Sequence, residues 1–191
     1  MNELKDHIHE ITDVLDADDY FRLLDLVATY DYGDKEPIDS ECFYNLTGDR
    51  HQIKIEPSEG ELFDLVHKVF SLNLPAIREY YQNFLPEGDI YDKYSGYWLC
   101  RYSDGGHLSR HTDTDADAAS VTASFNINDN YEGGELVFWD NHKLETKRNT
   151  LHIYPSNFLY PHRVDPVTRG IRYSIVVWFA YWRGEDWRSK W

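Results

Sequence analysis

The stretch Thr150–Trp182, TLHIYPSNFLYPHRVDPVTRGIRYSIVVWFAYW, decides the fold class of this chain. It holds three runs rich in β-branched and aromatic residues, Thr150–Tyr154, Tyr160–Val164 and Ile171–Trp182, separated by Pro, Asn, Asp and Gly. Short runs of this kind between turn residues are strands rather than helices. In the last run Arg172, Ser174, Val176 and Trp178 point one way, because successive side chains leave an extended backbone on opposite faces. Working outward, Gly96–Tyr102, Ser120–Asn128 and Glu135–Trp139 read as further strands, with Asp104-Gly105-Gly106 and Glu132-Gly133-Gly134 as turns. Strands of this length and spacing predict a jelly roll over about residues 90–182.

The first third has a different texture. Tyr20, Leu23, Leu24 and Val27 recur at helical spacing after Asp16, which can cap the helix, with Leu15 and Tyr20 as a hydrophobic staple. From Ser58 a second helical stretch keeps Leu62, Leu65, Val66, Val69 and Phe70 on one side before Pro75, which is expected to kink or divide it. The expectation is a mainly β chain with N-terminal helices within about residues 1–85 that buttress the jelly roll. At 191 residues it is read as one domain, 1–191.

Aromatic residues make up 16% of the chain, so a mean hydropathy of -0.65 reflects a solvated surface and not disorder. The formal net charge of -15 sets 34 acidic against 19 basic residues and argues against nucleic acid as a partner. Cys42 and Cys100 do not suggest a disulfide framework, which fits a reducing compartment. No run of about 18 apolar residues occurs, and the opening MNELKDHIHE lacks the basic patch and apolar core of a signal peptide. The expectation is a cytoplasmic protein without membrane attachment, a monomer or homodimer.

His111-Thr112-Asp113 places an imidazole and a carboxylate two residues apart, on one face if the backbone is extended. An H-x-D triplet alone is common. A second imidazole, His162, lies in the later strand YPHRV, and two His with one carboxylate form the facial triad that leaves positions open on non-haem Fe(II). A 2-oxo acid can take such positions if a cation receives its far carboxylate. Arg172 lies ten residues beyond His162, across the turn Asp165–Gly170, and adjacent antiparallel strands are expected to bring the two together. Ser174, two residues on, can add a hydroxyl to the same carboxylate.

Other readings of these residues are weaker. His107 and His111 have H-x-x-x-H spacing, but two glycines precede them and Leu108 stands where a zinc protease needs Glu. Asp113, Asp115 and Asp117 open like a calcium loop, yet Ala118 and Ser124 stand where the loop needs Gly and Glu. His142 and His152 have no carboxylate at comparable strand spacing and read as exposed or hydrogen-bonded. A cupin-like metal-binding module without catalysis is the non-enzymatic alternative, though such a barrel has little use for His111, Asp113, His162 and Arg172 together.

The order Tyr102, Gly105-Gly106, His111-Thr112-Asp113, Tyr131–Leu136, His162–Arg172 and Trp178 resembles the prolyl 4-hydroxylase-like branch of the 2-oxoglutarate and Fe(II)-dependent dioxygenase superfamily. The resemblance implies a double-stranded β-helix, the cupin-like form of the jelly roll. It implies His111, Asp113 and His162 as iron ligands, and Arg172 and Tyr102 as partners of 2-oxoglutarate. Relatives often carry Tyr where this chain has Asn126, so Asn126 is read as a contact to 2-oxoglutarate in its place. Collagen-type members carry Lys where Arg172 stands. The implied reaction hydroxylates a C–H bond with O2, releasing succinate and CO2, with ascorbate as reductant. The implied substrate is a prolyl residue in a peptide or protein, the alternative being a free amino acid or other small molecule. Asp115, Trp139 and Trp178 are the candidate substrate contacts.

Overall fold

The computed structural model describes residues 3–32, 49–84, 89–90, 95–114 and 119–182. In chain order the strands are β1 (His9–Thr12), β2 (Asp49–Ile55), β3 (Asp89–Ile90), β4 (Tyr97–Ser103), β5 (Leu108–His111), β6 (Ala119–Asn126) and β7 (Glu132–Gly133). There follow β8 (Leu136–Phe138), β9 (His142–Lys143), β10 (Thr150–Pro155), β11 (His162–Val164), β12 (Val167–Arg169) and β13 (Arg172–Trp182). The helices are α1 (Ala17–Thr29) and α2 (Glu61–Gln82). A seven-stranded sheet runs β1-β10-β6-β13-β4-β2, with β3 also paired to β13, and a four-stranded sheet runs β5-β11-β8-β9. Every pair of neighbouring strands in these two sheets is antiparallel, and together they make a mainly β, jelly-roll core.

The large sheet is sorted residue by residue. Val121, Ala123 and Phe125 on β6, Leu151 and Ile153 on β10, and Tyr173, Ile175, Val177 and Phe179 on β13 are buried in the main apolar core. Leu23 and Val27 of α1 and Val66, Val69 and Phe70 of α2 belong to the same core, so the helices cover this face. The intervening residues, among them Ser124, Asn126, Arg172 and Ser174, are also buried but polar, and they face the lumen between the sheets. Period-two alternation thus puts the hydrophobic drive on one face and chemistry on the other.

In α1, Asp16 Oδ1 accepts a hydrogen bond from the Asp19 amide at 3.0 Å, and Leu15 and Tyr20 are both buried. In α2, Pro75 does not divide the helix, which runs unbroken from Glu61 to Gln82. Ile77, Tyr80 and Tyr81 continue the buried face beyond the proline. Burying three large side chains offsets the roughly 3 kcal/mol that an internal proline costs.

Three expectations need correction. The N-terminal part is not wholly helical, since β1 and β2 lie within it and form the two edges of the large sheet's main path. Residues Asp165–Gly170 are not only a turn, because β12 pairs with β7. His162 and Arg172 are not on adjacent strands: β11 belongs to the small sheet and β13 to the large one, so they meet across the lumen. Edge and two-residue strands draw their order from partners distant in sequence, which local pattern does not carry.

The Asp104-Gly105-Gly106 turn closes with the Gly106 amide donating to Ser103 O at 2.7 Å. A Cβ at Gly106 would stand 2.2 Å from Asp49 O, so only glycine fits where this turn crosses β2. Cys100 is a buried free thiol, and Cys42 lies outside the described residues. Among the described residues no helix is long and apolar enough to cross a membrane.

Asn149 ties α1 to the sheet. Its Oδ1 accepts from the Leu15 amide at 3.0 Å and its Nδ2 donates to Leu15 O at 2.8 Å, with the residue itself buried at φ 53°. Asn149→Ala removes both bonds and leaves two backbone groups of Leu15 without these partners. The expected loss is about 2–3 kcal/mol in urea unfolding; an unchanged midpoint would show that the tie contributes nothing.

Candidate metal centre

His162 opens β11 and pairs in register with His111, the last residue of β5, so the two imidazoles are cross-strand neighbours with ring centroids 4.3 Å apart. The extended backbone ends at His111. Asp113 sits in the bend beyond it, held by its amide to Ser156 O at 3.1 Å, while the Thr114 hydroxyl donates to the same carbonyl at 3.0 Å. The bend turns the carboxylate back to the imidazoles: His111 Nε2 to Asp113 Oδ1 is 3.4 Å, and His162 Nε2 to Asp113 Oδ2 is 3.5 Å. One ligand atom from each of the three lies within 4.8 Å of the others.

The protonation pattern suits a cation. His111 Nδ1 meets Ser109 O at 2.9 Å and His162 Nδ1 meets Tyr160 O at 3.1 Å. A carbonyl only accepts, so in the neutral ring each Nδ1 carries the hydrogen and each Nε2 presents a lone pair. Burial lowers the His162 pKa against the pull of Asp113, which keeps that ring neutral. Burial acts to raise the Asp113 carboxyl, but His162, His111 and the Thr122 hydroxyl outweigh it and hold it at about 2. Two imidazole Nε2 atoms and one carboxylate fit Fe(II).

Behind the carboxylate stand residues that sequence reading did not identify. Thr122 Oγ1 donates to Asp113 Oδ2 at 2.7 Å and lies 2.8 Å from Ser156 Oγ. Since the Thr122 hydrogen is committed to the carboxylate, Ser156 is the donor to Thr122. Both are fully enclosed, and together they fix the rotamer of Asp113. Thr122, Ser124 and Asn126 are polar at every second position of an otherwise apolar strand, a signal that sequence alone could have yielded.

From the ligand set a pocket of about 430 Å³, part of it open to solvent, runs to the large sheet. Across three strands of that sheet Arg172, Tyr102 and Arg50 pair in one row, and the two guanidinium carbons lie 5.2 and 5.5 Å from the Tyr102 ring centre. Arg172 is 4% exposed, its Nη1 donates to Ser174 Oγ at 2.9 Å, and its buried Nε has no hydrogen-bond partner. No acidic side chain pairs with it among the described residues. A buried guanidinium with a spare N–H is the group that a carboxylate satisfies, so the residues present fit 2-oxoglutarate.

Tyr131 also adjoins Arg172, and its hydroxyl donates to Asn126 Oδ1 at 3.1 Å. Gly134, at φ 67°, permits this packing, since a Cβ there would stand 2.8 Å from Val167 Cγ2 and 3.1 Å from Arg172 Cδ. The Asn126 amide nitrogen is committed to the carbonyls of Asn128 and Lys147, both at 2.8 Å. Asn126 borders a second pocket beside Arg172, along with Tyr131 and His152. His152 is buried and lies 3.3 Å from Glu10. Trp178 lines the main pocket with its indole N–H buried and unpartnered. Trp139 does not line it: its indole donates to Leu159 O at 2.7 Å and its ring packs against Phe138, His142 and Tyr160. Asp115 lies outside the described residues.

Comparison with known proteins agrees with this arrangement. The model of the 2OG-Fe(II) oxygenase superfamily matches residues 97–180. A PKHD-type hydroxylase of Parvibaculum lavamentivorans is 34% identical over 100 residues, 45% of this chain and 43% of that protein. One from Xylella fastidiosa is 45% identical over 62 residues, covering 31% and 26%. The chain therefore matches less than half the length of these relatives. Among solved structures, a Trichoplax adhaerens prolyl hydroxylase in complex with a hypoxia inducible factor peptide fragment superposes with TM-score 0.72 at 19% identity, covering 91% of this chain and 83% of that one. A Pseudomonas putida prolyl-4-hydroxylase gives TM-score 0.65 at 21% identity, covering 93% and 94%. The stretch matched by the family model spans both imidazoles, the carboxylate and Arg172, and over that stretch the chain is similar to the 2OG-Fe(II) oxygenase superfamily, with a prolyl hydroxylase-like fold.

Proposed function

We propose that this chain acts as one 2-oxoglutarate- and Fe(II)-dependent dioxygenase domain that hydroxylates a prolyl residue of a peptide or protein. The observation that carries the reading is a three-ligand cluster at one end of a pocket whose other end presents a buried guanidinium with an unpartnered Nε. His111, Asp113 and His162 hold the metal, and Thr122 with Ser156 keeps the carboxylate aimed. Arg172, assisted by Ser174 and Tyr131, receives the far carboxylate of 2-oxoglutarate, and Tyr102 adds a hydroxyl beside it. Iron with 2-oxoglutarate and O2 supplies the oxidising chemistry, giving hydroxylated product, succinate and CO2, with ascorbate as reductant. Leu108, Leu136, Val164 and Val176 line the walls and exclude water. Trp178 offers its spare N–H to the substrate. The hydroxylase names of the relatives and the peptide held by the Trichoplax enzyme support a peptide as substrate.

Succinate formation from 2-oxoglutarate, under air with Fe(II) and ascorbate, tests the reading. Proline-containing peptides are expected to accelerate it, and His162→Ala to abolish it. Slow succinate that no peptide accelerates would move the search to small molecules, and none at all would favour a non-catalytic metal-binding module.

Thr122→Val keeps the shape of the side chain and removes its donor to Asp113. Metal affinity, followed by Mn(II) titration, is expected to fall about 10–100-fold; wild-type affinity would remove Thr122 from this role. Arg172→Lys keeps the charge and loses the planar fork, so 2-oxoglutarate binding should weaken about 10–100-fold. Unchanged binding would place the far carboxylate elsewhere.

A further inference from the structure

We propose that Arg50 is a second carboxylate-recognition residue of the pocket, and that it receives a carboxylate of the molecule to be hydroxylated. This rests on the dioxygenase reading and narrows its substrate class.

Arg50 is contributed by β2, from a part of the chain that carries no recognised motif. It is 9% exposed and lines the pocket that holds the metal-ligand cluster. One Nη donates to the Gln52 side chain, which orients the fork, while the buried Nε has no partner. No acidic side chain pairs with it among the described residues. A buried guanidinium stays charged and is costly without a counter-charge.

The charges of the reading above assign the missing partner. Asp113 and Arg172 with Fe(II) balance dianionic 2-oxoglutarate to neutrality. Arg50 is then the one positive charge on the described lining without a counter-charge. Arg172 cannot share its carboxylate simply, because the Tyr102 ring stands between the two guanidiniums in the row. Asp49, the residue before Arg50, is committed to the other side of the sheet through Arg101, His51 and Ser103. The pocket is thus locally cationic in a chain of net charge -15, a contrast that selects an anionic group at this point and not at the surface in general. That group is a carboxylate, borne either by the terminus of a small acid or by an acidic side chain next to the reacting residue.

The test uses the full chain with Zn(II) in place of iron and saturating 2-oxoglutarate, so that nothing turns over. Calorimetry at matched ionic strength compares N-acetyl-L-proline, its uncharged amide, and end-blocked acetyl-glutamyl-prolinamide. At least one carboxylate is expected to bind about tenfold or more tighter than the neutral amide. Arg50→Gln and Arg50→Met should abolish that preference while binding 2-oxoglutarate as wild type does, which also reports that they fold. Preference for the first acid marks a terminal carboxylate, and preference for the glutamyl compound marks a peptide side chain. Equal binding of all three, binding of none, or weakened 2-oxoglutarate binding in the Arg50 variants would overturn the assignment. Failure of the wild type to bind 2-oxoglutarate at all would instead overturn the dioxygenase reading.

Discussion

Strand β13 enters the large sheet with its odd-numbered residues against the helices and its even-numbered residues against the lumen. Shifting its register by one would bury Arg172 and Ser174 under α2 and turn Ile175, Val177 and Phe179 into the pocket. The apolar face forbids this, since those three side chains are almost wholly enclosed. The hydrophobic effect therefore fixes the position of the guanidinium, although the guanidinium itself gains nothing from burial. Tyr102 and Arg50 follow from the same register, because β4 and β2 pair outward from β13.

The second sheet solves a different problem. It is short, and its work is to hold His111 and His162 side by side and to let the chain leave at Thr112 so that Asp113 swings back. Both imidazoles are pinned by the carbonyl two residues before them, a contact that extended backbone supplies without any dedicated partner. The carboxylate needs more, because a buried charge must be solvated by fixed dipoles. Thr122 lies on β6 and Ser156 just beyond β10, both of the large sheet, so the cluster begun on the small sheet is braced by the large one. A metal held by the cluster would therefore be coupled to sheet packing.

What could be read from sequence divides along the same lines. The strands of strong alternation, β4, β6, β10 and β13, are legible to within two residues, and the periodic faces of both helices are legible too, though not the unbroken passage of α2 through Pro75. That His111, Asp113, His162 and Arg172 come to one pocket is legible because their residue types and order are informative without knowledge of pairing. β2 was not, since DRHQIKI has polar residues at lumen positions and sits between helices in the chain. With β2 unseen, Arg50 could not be placed. Tyr131 stands in a recognised motif without a role of its own, Thr122 is signalled only by the polar alternation of β6, and Ser156 gains its meaning only when β10 pairs with β6. Trp139 shows the opposite error: an aromatic near the motifs looked available for substrate, whereas its backbone, at φ 51°, turns the indole to Leu159.

The account stands most directly on whether the cluster binds iron in a way that leaves room for a 2-oxo acid held by Arg172. Anaerobic addition of 2-oxoglutarate to the Fe(II)-loaded protein, followed by visible absorption, addresses this without requiring the substrate. The account predicts a charge-transfer band that saturates at one equivalent per chain and is absent in His162→Ala. Iron binding with no band on adding 2-oxoglutarate, or a band that survives loss of His162, would contradict it.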